Sequence, residues 1–505
     1  MSTNFPILSL IIFWPILGSF AVLAAFRNPR LVRWLSLGVT LVELGLVASL
    51  FFGDLTPHSG PLGTWLLVED YPWIDWLGAH YSLGLDGISL TLVALTAFIN
   101  VFCVLISWEA IEAKVGSFFF FILFLEGTLV GLFLANDLLL FYLFWEIQII
   151  PMFFMVGIWG HQNRVRAAIK FLLYTLTGSL LMLIALIALF VIHGQQTGVY
   201  TFSVSQLLQH RPLGRTTEIL LFLAFLLAFG IKIPLIPVHT WLPDTHTEAP
   251  TAGSVDLAGL LLKTGLYALF RFAMPLFPNA TRLFGPLLLF LGVGGLFYAA
   301  WIALAQTDLK RLVAYSSISH MALMVIGLVV WNSLTLSGSL LQMVNHGLST
   351  SALFIMVGML DERIHSRDFA VLGGLWGKMP IFSAFFLLFA LSSLGLPGLN
   401  NFVGETLILV GAFKARPVIG ILGFMGSVFG VIYILRMVQD ALFGEPRAEH
   451  ILWDVNLREI VILGSLALAV LFIGLHPGPL LHLLEPSVQT MVQQHATQVA
   501  GAAGF

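Results

Sequence analysis

The sequence predicts an all-α polytopic membrane protein of about fourteen transmembrane helices, and three observations carry that prediction. Only 10% of the 505 residues are charged and 58% are hydrophobic, with a mean hydropathy of +0.96. Soluble domains carry about a quarter charged residues, so these few charges cannot cover a water-facing surface of this size. Apolar runs near the ~20 residues that a bilayer-crossing helix needs recur from end to end. The longest polar gaps, residues 52–85, 194–216 and 444–459, are loop-sized and leave no room for a soluble domain.

The first run, FPILSLIIFWPILGSFAVLAAF, has no basic residue before it and Arg27, Arg30 and Arg33 after it. A signal peptide shows the reverse order, so the segment is expected to stay as the first helix. Further runs centre near residues 41, 97, 125, 148, 180 and 228, then near 264, 294, 321, 348, 397, 427 and 467. This divides the chain into 1–110 (helices one to three with an outer loop, 52–85), two repeats at 111–277 and 278–443, and 444–505 (helix fourteen and a short polar tail). Helices alternate in direction, so the loops after helices one, three, five, seven, nine, eleven and thirteen share a side. Those loops hold 15 of the 23 lysines and arginines, and the opposite side, termini included, holds 6: Arg211, Arg215, Arg271, Arg282, Lys414 and Arg416. The positive-inside rule makes the first side cytoplasmic and puts both termini outside. The two basic residues left over, Lys232 and Lys263, fall inside predicted helices.

Composition also narrows the chemistry. Cys103 is the only cysteine, which excludes a disulfide within the chain, a thiolate metal site and iron–sulfur ligation. No nucleotide-binding glycine loop, HExxH motif or nucleophile elbow is present. The net charge of −3 suggests neither nucleic acid nor a polybasic membrane anchor. Redox chemistry is therefore expected in other chains.

The informative residues are the polar ones at membrane depth. Glu146 lies near the middle of LLLFYLFWEIQIIPMFFMVGIWG, and similar central positions hold Lys232, Lys263, His320, His346 and Glu405. A charge there costs at least ~2.5–3.5 kcal/mol, so such groups face a bundle interior and mark ion or proton pathways. Glu, Lys and His all exchange protons once burial and neighbours tune them. None of the six is arginine, which points to proton handling. Structural readings stand beside this one: a static Glu146–Lys232 salt bridge, snorkelling of Lys263 or Glu405 toward an interface, or histidines that bond between helices. Glu126 is a seventh candidate, for path or for packing. In HTWLPDTHTEAP (239–250), read as a cytoplasmic loop, His239, Asp244 and His246 either feed protons in or cap a helix. Asp308, Lys310 and Arg311 read as a solvated helix boundary.

Prolines disturb the backbone near these groups, because each frees the carbonyl four residues earlier. Pro151 acts beside Glu146, Pro234 and Pro237 beside Lys232, and Pro397 lies between Gly395 and Gly398, ahead of Asn400 and Asn401. Helices seven and twelve are thus expected to be discontinuous. Each is the fourth helix of a five-helix repeat (four to eight, nine to thirteen), and an odd number per repeat makes the repeats inverted. Paired breaks of this kind point to a transporter's ion path. Moving one proton against ~150 mV costs about 3.5 kcal/mol, or roughly 2.5 units of pKa on a carrying group. A Glu146–Lys232 pair that forms and separates would suffice.

The segments FWEIQIIPMFFMVGIWG, KIPLIPVHTWLPDTHTEAPTAGSVDLAGLLLKTG, AQTDLKRLVAYSSISHM, NHGLSTSALFIMVGMLDERIHSRD and LPGLNNFVGE resemble the antiporter-like membrane subunits of respiratory complex I, over residues 80 to 480. The resemblance implies fourteen helices with two inverted five-helix repeats. It also implies a proton route in which Glu146, Lys232 and Lys263 match the acid of helix five and the lysines of helices seven and eight. His320, His346 and Glu405 match the histidines and the acid that follow. A glutamate in helix twelve, where L- and N-type subunits usually carry lysine, favours the M-type branch of bacterial NADH–quinone oxidoreductase, as does the short tail. Glu126 and Gln148 are not firm features of the family pattern.

The implied function is a proton-translocating membrane-arm subunit in the bacterial inner membrane. NADH, FMN, iron–sulfur clusters and quinone would be held by partner subunits, and L- and N-type and small membrane subunits would be its neighbours. The rival expectations are a monovalent cation/proton antiporter subunit, the equivalent subunit of a cyanobacterial or plastid complex or of a membrane-bound hydrogenase, and a haem cytochrome using His320 and His346.

Overall fold

Each of the fourteen apolar segments is helical in the computed structural model, which describes residues 6–53, 58–60, 63–209, 213–445 and 453–502. The hairpin α1 (Ile7–Ala24) and α2 (Pro29–Leu50) comes first, with the Asn28 side chain accepting the Leu31 N–H at 3.2 Å to cap α2. The outer loop forms two antiparallel ladders, β1 (His58–Gly60) with β2 (Gly63–Trp65) and β3 (Leu67–Ile74) with β4 (Ala79–Leu85). Helices α3 (Gly87–Ala110) and α4 (Val115–Leu134) follow, and the fifth span is α5 (Leu138–Ile147) and α6 (Ile149–Trp159), interrupted at Gln148. Next come α7 (Arg164–Thr197), the short α8 (Val204–Gln209), α9 (Arg215–Lys232) and α10 (Trp241–Glu248).

The eighth span is α11 (Thr251–Asp256), a π-helical turn at Leu257–Leu261, α12 (Leu262–Ala268), a second π turn at Leu269–Ala273 and α13 (Met274–Leu276). Helices α14 (Pro278–Leu304), α15 (Leu309–Val330) and α16 (Ser333–Ile364) lead to the short α17 (Leu375–Lys378). The broken twelfth span is α18 (Pro380–Ser393) with α19 (Asn400–Ala415), and α20 (Pro417–Leu442), α21 (Leu457–Leu475) and α22 (Gly478–Ala502) complete the chain. Among the described residues, twelve helical spans are long and apolar enough to cross a membrane. The exceptions are the two expected breaks.

The most buried helices are not the most apolar ones, because lipid covers apolar surface as well as protein does. The eighth span and α16 are wholly surrounded by protein, whereas α1, α2 and α20 turn most of their surface outward. Loop contacts establish which connections share a side. Arg33 of α2 donates to the Ile111 carbonyl at 3.1 Å, the His161 N–H to the Glu248 carbonyl at 2.8 Å, and Arg458 meets Glu109 at 2.8 Å. On the other side, the N–H groups of Leu8 and Ser9 donate to Glu69, and Asn332 donates to the Gly411 carbonyl at 3.0 Å. The segregation is the one the alternating helices predict; Arg211, Arg447 and the extreme termini lie outside the described residues. Asp137 caps α5 at the outer rim, where burial pushes its carboxyl up to about 6 despite three backbone N–H groups that oppose the shift.

Four local expectations change. Arg271, counted as an outer loop charge, is buried, with Nη2 2.7 Å from Asp86 and its guanidinium over the Trp65 ring. Lys310, read as part of a solvated boundary, is buried and donates to the Ala249 carbonyl at 2.6 Å, because the connection before α11 folds over it. The segment 239–250 contains the helix α10 (Trp241–Glu248) rather than being an open loop, with His246 sealed against Phe354. The polar tail forms α22, and its Ser487 hydroxyl donates to Asp86 at 2.9 Å.

Asp86 thus ties α3, the second π turn and α22 together. Arg271→Leu leaves that carboxylate buried and unpaired, which should cost roughly 3–5 kcal/mol. Adding Asp86→Asn should recover part of the loss, read as the unfolding midpoint of the detergent-purified protein.

Candidate functional site

The breaks in the helices place the ionisable groups. Helix α9 ends at Lys232 because Pro234 and Pro237 cannot continue it. The exposed carbonyls find new donors: Gly230 O accepts the Leu235 N–H at 2.8 Å, and Ile231 O accepts Trp241 Nε1 at 2.9 Å. Lys232 is buried without a hydrogen-bond partner, and its ammonium rests 4.8 Å from the centre of the Trp145 ring. Glu146, the neighbour of that tryptophan, is half-buried with Oε1 unpartnered, and its charge acts on Lys232. The two side chains form no ion pair in this conformation, so the expected pair is adjacent and open.

The next four groups follow one another from helix to helix. The π turn ahead of Lys263 frees the Ala258 carbonyl, and the Lys263 ammonium reaches back to it while bonding His346 Nδ1 at 2.8 Å. This approach depends on two glycines at the helix crossing. A Cβ on Gly347 would lie 2.6 Å from Leu95 and 3.0 Å from the Gly259 carbonyl oxygen. The ring of His346 is 5.3 Å from that of His320, and His320 Nδ1 is 3.3 Å from Glu405 Oε1. Glu405 sits against the break in the twelfth span. Gly395 has φ +77°, and a Cβ there would come within 2.8 Å of Glu405 Oε2, so only glycine fits. A cavity of about 20 Å³ lined by His320, Ser319, Ser393, Glu405 and Tyr433 has room for one water.

A buried amide network holds the break in place. Asn345 donates to the Asn400 carbonyl at 2.8 Å and Asn400 to the Asn345 carbonyl at 3.0 Å, while Gln342 donates to Asn401 at 3.0 Å and Glu405 at 3.4 Å.

The structure thus joins Lys263, His346, His320 and Glu405, sets Glu146 and Lys232 beside each other, and leaves two candidates apart. Glu126 is fully buried on α4 with both carboxyl oxygens unpartnered, and the nearby charged groups are Glu43 and Asp256. His239 packs edge-on against Tyr298 of α14, away from the four groups of the line. Sequence reading passed over Gln342 and Asn345, although both lie one turn or less before His346. It also missed Glu43, which carries the same signal as Glu146: a carboxyl inside the apolar run LVELGLV.

Four buried titratable groups set one after another across α12, α16, α15 and α19, beside an open Glu–Lys pair and two broken helices, define an antiporter-like membrane subunit. The chain belongs to the NADH:quinone oxidoreductase/Mrp antiporter transmembrane family, whose match covers residues 135–430. It is 43% identical to NADH-quinone oxidoreductase subunit M of Pseudomonas aeruginosa, over 99% of this chain and 100% of that protein. It is likewise 43% identical to subunit M of Escherichia coli K12, over 94% of each. Among solved structures, it superposes with a TM-score of 0.85 on a chain of respiratory complex I from Thermus thermophilus with bound NADH, at 33% identity, covering 96% of this chain and 99% of that one.

Gly347→Val should overpack the crossing at a cost of about 1–3 kcal/mol. Gly294→Ala, which points into open space, should be neutral or stabilise by up to ~1 kcal/mol. Thermal unfolding midpoints of the two variants check both.

Proposed function

We propose that this chain is the M-type membrane-arm subunit of an NADH–quinone oxidoreductase, translocating protons through its buried Glu, Lys and His side chains. The observation that carries the reading is the line from Lys263 through His346 and His320 to Glu405 across the bundle centre, hydrogen-bonded or ion-paired at each end and ring against ring in the middle. The near full-length similarity to subunit M supports this complex over a free-standing cation/proton antiporter.

In this reading residues 111–277 and 278–443 are two inverted five-helix units, each broken in its fourth helix. Glu146 and Lys232 are the switching pair. Closing the gap between them stabilises the ammonium, and opening it leaves that charge with only the Trp145 face, so the pair sets when Lys263, the relay toward the centre, holds its proton. Lys263 passes a proton to His346 Nδ1 along their hydrogen bond. The 5.3 Å between the imidazoles requires a ring rotation or one water, and His320 Nδ1 then delivers to Glu405. Glu405, beside the water-sized cavity, exchanges with the exit or with the neighbouring subunit.

The chain works within a multisubunit membrane complex. Our proposal assigns NADH, FMN, the iron–sulfur clusters and quinone to partner subunits, and L- and N-type and small membrane subunits to its flanks. The single buried cysteine supports the absence of a cluster here. The excess of basic residues on one face supports a bacterial inner membrane orientation with both termini on the outer side.

The test is Glu146→Gln and Lys263→Ala in the assembled complex, with NADH–quinone turnover and proton uptake followed in the same sealed vesicles. Both rates should fall by about 10²-fold or more at normal assembly. Full rates in both variants would make these charges structural.

A further inference from the structure

On the basic face, a cleft of about 540 Å³ opens between the ends of α3, α6, α11 and α16. Its walls carry four carboxyls, Glu109, Glu112, Asp361 and Glu362, together with His161 and His365. Arg458 faces Glu109 at 2.8 Å, and Asp361 has His161 at 3.5 Å and Arg367 at 3.8 Å. Glu362 Oε1 is buried without a partner. The cleft floor includes Ile106 and Ser107 of α3 and Thr251 and Ala252 of α11.

One helical turn below that floor lie Cys103 and Asp256, joined by a 3.2 Å contact from Sγ to Asp256 Oδ1. Asp256 is fully buried and its Oδ2 has no partner. Behind it, Glu126 and Glu43 are also fully buried, with all four carboxyl oxygens unpartnered. None of these three carboxyls belongs to an ion pair among the described residues. Three uncompensated anions in such a space would each cost several kcal/mol, so the resting cluster carries protons rather than charge. On the inner side the Lys263 ammonium folds back to the carbonyl of Ala258, two residues on from Asp256. Thr251 and Ala252 at the cleft, Asp256 and Lys263 therefore follow one another along the eighth span.

We propose that this acidic cleft is the proton mouth on the basic face, and that Asp256, with Glu126 and Glu43 behind it, is the store that reloads Lys263. The proposal rests on the proton-translocation reading above. After Lys263 has given its proton to His346 and is neutral, Asp256 donates its carboxyl proton to the amine through intervening water. The resulting carboxylate is reprotonated from Glu126 or from water in the cleft. This gives Glu126 a task that the Lys263–Glu405 line leaves open.

The experiment is Asp256→Asn in the assembled complex, beside wild type and Lys263→Ala, with turnover and proton uptake measured in sealed vesicles in H2O and D2O. Asp256→Asn should lower both rates about tenfold and enlarge the ratio of H2O to D2O rates, because reloading becomes limiting. Asp256→Glu should restore most of the rate. Full activity of Asp256→Asn while Lys263→Ala collapses overturns the store. Full activity of both variants overturns the translocation reading itself. If Asp256→Asn does not assemble, the isosteric Glu362→Gln on the cleft wall is measured instead. A fall of about threefold with the same isotope signature supports the mouth, and an unchanged rate overturns it.

Discussion

Lipid offers no hydrogen-bond partner, so every polar group in this bundle must be answered from within the protein. That constraint organises the rest of the structure. It explains why the eighth span and α16, which carry Lys263 and His346, are the helices most completely surrounded by others. It also explains why three interruptions of the helices coincide with a polar side chain that takes up a carbonyl at the break. Trp241 serves the end of α9, the Lys263 ammonium serves the first π turn, and Asn401 serves the end of α18.

Two kinds of buried charge emerge. Asp86–Arg271 and Arg363–Glu459 are tight pairs, each at 2.7 Å, near opposite faces of the membrane domain. Arginine keeps its proton under all ordinary conditions, so these pairs fasten helices and carry nothing. The central groups differ in chemistry and in completeness: Lys232, Glu146 and His346 each retain an atom without a partner. Unmet bonding capacity in these central groups, against the closed Asp86–Arg271 and Arg363–Glu459 pairs, sets the candidate path groups apart from the fastenings.

Much of this was legible in the sequence because an intramembrane charge has so few innocent explanations. The fourteen segments, the two breaks and the six central groups all follow from charge or proline set in apolar runs. What escaped was of two kinds. Amides such as Gln342 and Asn345 do not stand out by charge, and their importance comes from helices far apart in the chain. The carboxyl of Glu43 carried the signal but sits on an edge helix, where its burial depends on α4 packing over it. Arg271 and Lys310 were misplaced for a related reason. Proximity to a predicted helix end suggests water, whereas here neighbouring chain folds across the end and dries it. The crossing at Gly259 and Gly347 was invisible too, since a helical glycine shows its purpose only when the opposing backbone is known.

The reciprocal bonds between Asn345 and Asn400, each amide donating to the other's carbonyl, carry a mechanical consequence. Helix α19 is cut from α18 by its own break yet clamped to α16, so it follows α16 rather than the helix that precedes it in sequence. Since α16 also bears His346, a displacement that carries Glu405 carries His346 in the same stroke. The spacings along the line then change together, as teeth on one gear, and the far end of the chain registers what happens at its centre without a separate signal.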